Sequence, residues 1–295
     1  MVTTSGATAP ASGLSVLPAL LRMVRFSHTV FALPFAYVAM VLAADGWPGW
    51  PVLIWVTLAM AGARTLAMSV NRLADRFIDA ANPRTAKRHL PTGLLTPAQV
   101  TAAALLSAAL LLLSAWMLNP LCLLLSPLAV LFLVGYSYTK RFTWLSHWIL
   151  GFTDGIAAAG GWIAVRAAFD PPVYVLWLAL TVWIAGFDLI YACQDVDFDR
   201  RHRLHSMPAR FGIPAALTTA RICHVLTIAA FALLGFQMGL GLLYWLGVLV
   251  VAGLLVYEHS LVSPGDLSRL DVAFFNVNGY IAVILFFSVL GGRLA

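Results

Sequence analysis

AQVTAAALLSAALLLLSAWMLNPLCLLLSPLAVLFLVGYSYTKR, residues 98–141, is the stretch that decides the fold. It is apolar for about twice the length of a bilayer crossing, and only Asn119-Pro120 interrupts it. One spanning helix needs ~20 residues, and a residue before proline avoids the helical region. The stretch therefore divides into two spans, 98–118 and 120–137. Outward from it, apolar runs of the same length lie near 27–44, 51–70, 146–166, 173–193, 214–236, 239–258 and 272–291, making nine in all. The expected fold is an all-α polytopic membrane protein, a bundle of about nine transmembrane helices.

Composition agrees. The chain has 295 residues, 61% of them hydrophobic and only 10% charged. Soluble domains carry about 25% charged residues, so this chain lacks the polar shell of a water-soluble enzyme. Disorder and a secreted disulfide scaffold are excluded with it. Cys122, Cys193 and Cys223 lie in or beside apolar stretches with no CxxC or Cys/His spacing, so reduced, packed thiols are expected. Residues 1–20 hold no Lys or Arg and do not resemble the basic start of a secretory signal. They are expected to form a flexible tail, ahead of a single transmembrane domain over 21–295.

Basic residues set the expected orientation. Alternate loops on one side hold fourteen of the eighteen Lys and Arg residues, and the other side holds Arg166 and Arg293. Arg64 and Arg221 fall inside spans. This split puts the N-terminus and the long loops in the cytoplasm. It also accounts for most of the net charge of +6, so no nucleic-acid partner is expected.

The acids carry the functional signal. Six of the twelve, Asp75, Asp79, Asp188, Asp195, Asp197 and Asp199, fall in two short windows at helix ends on that same side. The first window is NRLADRFIDAANPRTAKRHLPTG, residues 71–93. Asn71, Asp75 and Asp79 share one helical stripe if the helix outlasts the bilayer, with Arg64 further along it. Asn82-Pro83 ends that helix, and Arg84, Lys87 and Arg88 follow. The second window is FDLIYACQDVDFDRRHRLHSMPARFG, residues 187–212. Asp195 and Asp199 are again four apart, Asp188 lies deeper on the same face, and Asp197 points away. Asn71 and Asp75 recur as Asp195 and Asp199 at an offset of 124 residues, as a degenerate four-helix repeat would place them.

Clustered carboxylates near lipid need cations. An oxygen-only ligand set points to a hard ion, Mg²⁺ first, which keeps part of its shell for phosphate oxygens. Adjacent Arg and Lys complement a diphosphate. A greasy bundle beneath suits a long hydrocarbon tail. If that tail is allylic, loss of diphosphate leaves a carbocation, which needs aromatic faces and a dry site. The bland alternative is solvated helix-end acids paired with nearby arginines, but a single such end would not explain two matching stripes.

These residues resemble the UbiA-type intramembrane prenyltransferases. NxxxDxxxD with its basic run and LPTG is similar to the first family signature, and YACQDVDFD with ARFG to the second. YSYTKRFTWLSH, residues 136–147, resembles the Lys-containing loop, and RFSHTVFALPFA, residues 25–36, the first helix. The closest likeness is to the 4-hydroxybenzoate polyprenyltransferase-like subgroup. NRLADRFIDAANPRTA and DVAFFNVNGY resemble bacterial members of the menaquinone (futalosine-route) branch. The family motif begins Asn-Asp, whereas Arg72 follows Asn71 here, which removes one possible ligand.

The resemblance implies Mg²⁺-dependent transfer of a polyprenyl group from its allylic diphosphate to an aromatic carboxylic acid. That acid would be 4-hydroxybenzoate or 1,4-dihydroxy-6-naphthoate, in ubiquinone or menaquinone biosynthesis. The enzyme would sit in the bacterial cytoplasmic (inner) membrane among its lipids, with its site facing the cytoplasm. Asn71, Asp75, Asp79, Asp195 and Asp199 are the expected metal ligands. Arg25, Arg64, Arg72, Arg84, Arg88, Lys140 and Arg141 are the expected diphosphate contacts. Asp188, Lys140 and Asp154 are the expected catalytic groups. His28, His259 and Asn276 are expected to make structural hydrogen bonds, and most of the Trp residues to anchor at the interface. A secondary transporter also carries charges and repeats, but normally near the midplane. A CDP-alcohol phosphotransferase would need a DGxxAR segment that is missing. Other UbiA-type acceptors remain open.

Overall fold

The apolar runs become helices where prolines and small polar caps let them start. A computed structural model describes residues 11–24 and 33–294. In chain order the helices are α1 (Val16–Met23), α2 (Leu33–Ala44), α3 (Trp50–Ala81), α4 (Pro97–Leu118), α5 (Pro120–Thr139) and α6 (Ser146–Arg166). Then come α7 (Pro171–Ala192), α8 (Val196–Arg201), α9 (Met207–Phe211), α10 (Ile213–Met238), α11 (Leu242–Ser260) and α12 (Asn278–Leu294). The described residues contain no β-strand. Eight helical segments are long and apolar enough to cross a bilayer: α3, α4, α5, α6, α7 continued through α8, α10, α11, and α12 with the turn before it. Of the first expected span, 27–44, the described part is α2.

Proline stands in the first turn of α3, α4, α5, α7 and α10, where its missing N–H costs nothing. Thr96 and Gln99 close a capping box at the start of α4. Asn119 ends α4 and starts α5 by accepting from Cys122 N at 2.9 Å, and its amide donates to Ile163 O at 2.8 Å. The one residue that divides the long apolar stretch therefore also pins the end of α6.

Helix α6 is the hub. It packs on α2, α5 and α7, while α7 also packs on α10, and α12 on α2 and α11. Glycines allow this approach. A Cβ on Gly151 or Gly161 would strike the carbonyl of Thr181 or Ala36, and one on Gly155 would strike the Trp177 ring. Association inside a bilayer rests on such close packing, because lipid supplies no hydrophobic drive. Leucines that would be a liability in water, such as Leu105, Leu106 and Leu124, lie on the outer surface. At the end of the bundle away from the acidic windows, Arg293 pairs with Asp45 and donates to Met238 O at 3.0 Å.

Three expectations change. Residues 13–20 are not a loose tail: a 3-10 turn over Gly13–Ser15 leads into α1, because Ala19, Met23 and Val24 are buried with Leu95 and Val100. Residues 1–10 lie outside the described region. Asp195 and Asp199 do not share one uninterrupted helix, since α7 gives way to a 3-10 turn over Cys193–Asp195 before α8 begins. The buried amide near α12 is Asn278, not the exposed Asn276. A π-turn over Val272–Val277 frees backbone carbonyls there. Asn278 Nδ2 donates to those of Ala273 and Phe274 at 3.1 Å each, and to Glu258 Oε1 at 3.1 Å.

Candidate active site

Helix α3 runs three turns beyond its apolar part and carries Asn71, Asp75 and Asp79 on one stripe. Asp75 is only 4% exposed. Its Oδ1 accepts from Arg141 Nη2 at 3.1 Å and its Oδ2 from Asn71 Nδ2 at 3.4 Å, with Lys140 Nζ 3.9 Å away. Asp79 is buried and receives Arg88 Nη1 at 2.7 and 2.8 Å.

From the other side, the turn after α7 brings Asp195 to the end of α3. Asn82 Nδ2 and Arg84 Nε donate to it at 3.2 and 3.0 Å, and Arg84 Nη1 donates to the Tyr191 hydroxyl at 3.1 Å. Asp199 is buried on α8, beside Ser206 and within reach of the Lys140 charge that also faces Asp75. The loop between α5 and α6 is bolted to both windows: Arg141 Nη2 donates to Ala74 O, and Lys140 O accepts from His205 N, each at 2.6 Å. The two acidic windows thus meet, interleaved with cations.

The cations dominate the local field. Burial works to lower the pKa of Arg84, but the bond and charge of Asp195 outweigh it and raise the value. His89 is held below the usual histidine range, by burial first and then by the charges of Arg22 and Arg72.

Beneath this rim lies a cavity of about 480 Å³. Asn71, Arg72, Arg88 and Asp188 line its polar part, Arg64 and Asp154 reach it from α3 and α6, and aromatic rings make much of the rest. Tyr191 stacks on Phe274 at 4.1 Å, Phe187 meets Phe274 at 5.3 Å, and Phe152 lies 4.6 Å from Trp177. Asp188 Oδ2 is 2.7 Å from His147 Nδ1. Arg64 Nε is buried without a hydrogen-bond partner among the described residues, and Arg64 acts electrostatically on Asp154.

The structure therefore gathers Asn71, Asp75, Asp79, Asp195 and Asp199 with Arg84, Arg88, Lys140 and Arg141 at the rim. Arg64, Arg72, Asp154 and Asp188 lie along the cavity below. Arg25 and His28 lie outside the described residues. Asp197 is exposed, as expected. Four further features of the site were not expected from the sequence: His147, Asn82 as a partner of Asp195, Tyr191, and the Phe274–Phe275 pair. His147 closes the segment YSYTKRFTWLSH, and Asn82 in the sequence reads only as a helix stop. The π-turn that presents Phe274 leaves no pattern in the residue order.

An acid-and-arginine rim over an aromatic cavity in a bundle of membrane-spanning helices is the site of an integral-membrane protein. Residues 32–284 match the UbiA prenyltransferase family. The chain is 32% identical over 257 residues to a 4-hydroxybenzoate octaprenyltransferase of Aliivibrio salmonicida, covering 85% of this chain and 89% of that protein. A second, from Aliivibrio fischeri, is 29% identical over 251 residues, covering 85% and 87%. Among solved structures, the apo form of a UbiA homologue from Aeropyrum pernix superimposes with a TM-score of 0.83 at 32% identity, covering 90% of this chain and 98% of that one. A UbiA homologue from Archaeoglobus fulgidus bound to DMAPP and Mg²⁺ shares the fold with a TM-score of 0.69 at 19% identity, covering 92% and 99%. The chain belongs to the UbiA prenyltransferase family and is a membrane-embedded transferase of prenyl groups.

Proposed function

We propose that this protein transfers a polyprenyl group from an allylic polyprenyl diphosphate to the ring of a small aromatic carboxylic acid, with Mg²⁺ as cofactor. The observation that carries the proposal is the continuity of the cation-rich rim with an aromatic-lined cavity. The first relatives matched are 4-hydroxybenzoate octaprenyltransferases, which supports an aromatic acid as acceptor. The likeness to the menaquinone-branch members keeps dihydroxynaphthoate beside 4-hydroxybenzoate. We place the enzyme in the bacterial cytoplasmic membrane with the rim facing the cytoplasm, following the positive-inside count.

The donor set suits magnesium. It is all oxygen, buried at Asp75, Asp79 and Asp199, and Asp75, Asp79 and Asp195 are already matched by cations. Among the described residues no three His, Cys, Asp or Glu side chains come close enough to hold an ion by themselves. Magnesium rarely asks for that: it takes one or two carboxylates and completes its shell with water and phosphate oxygens. Asn71, Asp75, Asp79, Asp195 and Asp199 would hold it. When bound, it would neutralise charge on the leaving diphosphate.

The protein's own groups do the remainder. Arg84, Arg88, Lys140 and Arg141 would exchange their carboxylate partners for diphosphate oxygens and hold the head group at the rim, with Arg72, which donates to Asn71 Oδ1 at 3.1 Å, beside them, and Arg25 and Arg64 as further contacts. The C1–O bond of the donor breaks, and its electrons leave with the diphosphate. The aromatic faces of Tyr191, Phe187 and Phe274 stabilise the allylic cation while the apolar walls keep water away. A ring carbon of the acceptor forms the new bond to C1, and its proton passes to Asp188. Asp154 orients the acceptor. The products are the prenylated acid, diphosphate and a proton.

The test is mass spectrometry of products from purified protein given geranyl diphosphate and Mg²⁺ with 4-hydroxybenzoate and dihydroxynaphthoate in parallel. A prenylated acid from either one is expected. Absence of both products, from protein that still binds the donor, refutes the acceptor class.

A further inference from the structure

Asp188 is not free in the cavity wall. His147, in the first turn of α6 and only 4% exposed, places Nδ1 2.7 Å from Asp188 Oδ2. Its other nitrogen, Nε2, lies 3.3 Å from the backbone N of Met207. A backbone N–H can only donate, so Nε2 must accept. That fixes the ring as the neutral form with its hydrogen on Nδ1, and Nδ1–H donates to Asp188. Oδ2 is thereby occupied, and no protein hydrogen bond reaches Oδ1 among the described residues. A bond from a neutral donor orients the carboxylate without cancelling its charge.

The second bond reaches further. Met207 begins α9 directly after Ser206, and in the same segment Leu204 N donates to Asp199 O at 2.9 Å. His147 therefore joins three elements: α6, which it stands on, α7 through Asp188, and the α8–α9 segment that carries Asp199. We propose that His147 is a positioning residue for the transfer, holding the Asp188 carboxylate in register with the Asp199 end of the rim through its Nδ1–H and Nε2. This rests on Asp188 being the acceptor of the ring proton. The role calls for one donor and one acceptor about an imidazole's width apart. The carboxamide of glutamine also has both, whereas leucine has neither.

The experiment measures kcat and KM on full-length protein, with geranyl diphosphate, Mg²⁺ and whichever of the two acids is turned over. In His147→Leu, kcat should fall by about tenfold or more, while KM for geranyl diphosphate stays within about twofold. His147→Gln should return kcat to within about threefold of the parent. His147→Leu combined with Asp188→Asn should be no slower than Asp188→Asn alone, since the two act as one unit. Wild-type kcat in His147→Leu beside a slow Asp188→Asn overturns this inference and leaves the role of Asp188 intact. A fully active Asp188→Asn removes both. If His147→Leu does not accumulate, a folded His147→Gln that is slowed about tenfold overturns the inference by itself.

Discussion

Asp75 and Asp199 belong to different windows, yet both face Lys140. Each carboxylate of the first window is matched by a cation that a diphosphate would also attract: Asp75 by Arg141, and Asp79 by Arg88. The rim is balanced before any ligand arrives, and ligand binding becomes an exchange of partners. Replacing Asp75 or Asp199 by Ala should therefore reduce transfer by at least about 100-fold without loss of protein from the membrane. Excess EDTA should do the same to the parent, with recovery on adding Mg²⁺. Full activity in either variant, or in EDTA, would refute the metal assignment. His89 reports the field. The charges of Arg22 and Arg72 help hold its pKa below the ordinary value, so its protonation is disfavoured in the folded protein. Its contribution to stability is present above the usual histidine range and is lost as pH falls below that range toward the folded value. A bound diphosphate should offset those charges and raise the pKa, visible as an upward move in the titration midpoint of labelled His89 by NMR. An unchanged midpoint at saturating donor would argue against diphosphate binding beside it.

At the scale of elements, glycine separates packing positions from idle ones. On α6, Gly151 abuts the Thr181 carbonyl, whereas Gly253 on α11 faces open space. Gly151→Ala must push α6 from α7 and should destabilise by roughly 1–3 kcal/mol. Gly253→Ala should be neutral or stabilise by up to about 1 kcal/mol, because alanine is the better helix former. Thermal unfolding in detergent checks both, and equal shifts would contradict the packing at α6. Asn119-Pro120 divided α4 from α5 as expected. The 3-10 turn at Cys193–Asp195 and the π-turn at Val272–Val277 were invisible. Both depart from the regular 3.6-residue period, and a periodic reading assumes that period holds.

For the whole molecule, the proposed orientation, with the rim toward the cytoplasm, makes opposite predictions for the two ends of the bundle. Lys87 is exposed in the loop after α3, and Arg166, with a side chain 55% exposed, lies at the opposite end of the bundle. In intact cells, a membrane-impermeant maleimide should label Arg166→Cys directly and Lys87→Cys only after permeabilisation. The reverse pattern would invert the orientation. The native cysteines give little background, since Cys193 and Cys223 are buried and Cys122 is partly so.

What the sequence determined by itself was chemistry that repeats along the chain: spans long enough for a bilayer, a one-sided excess of Lys and Arg, and two acidic windows four helices apart. Those depend on residue type and spacing, which any single helix expresses locally. The tertiary structure alone decided which acid meets which arginine, that Tyr191 and Phe274 face each other, and that His147 reaches both Asp188 and Met207. These contacts join residues tens of positions apart, and only the packing of α3, α6 and α7 brings them within bonding distance.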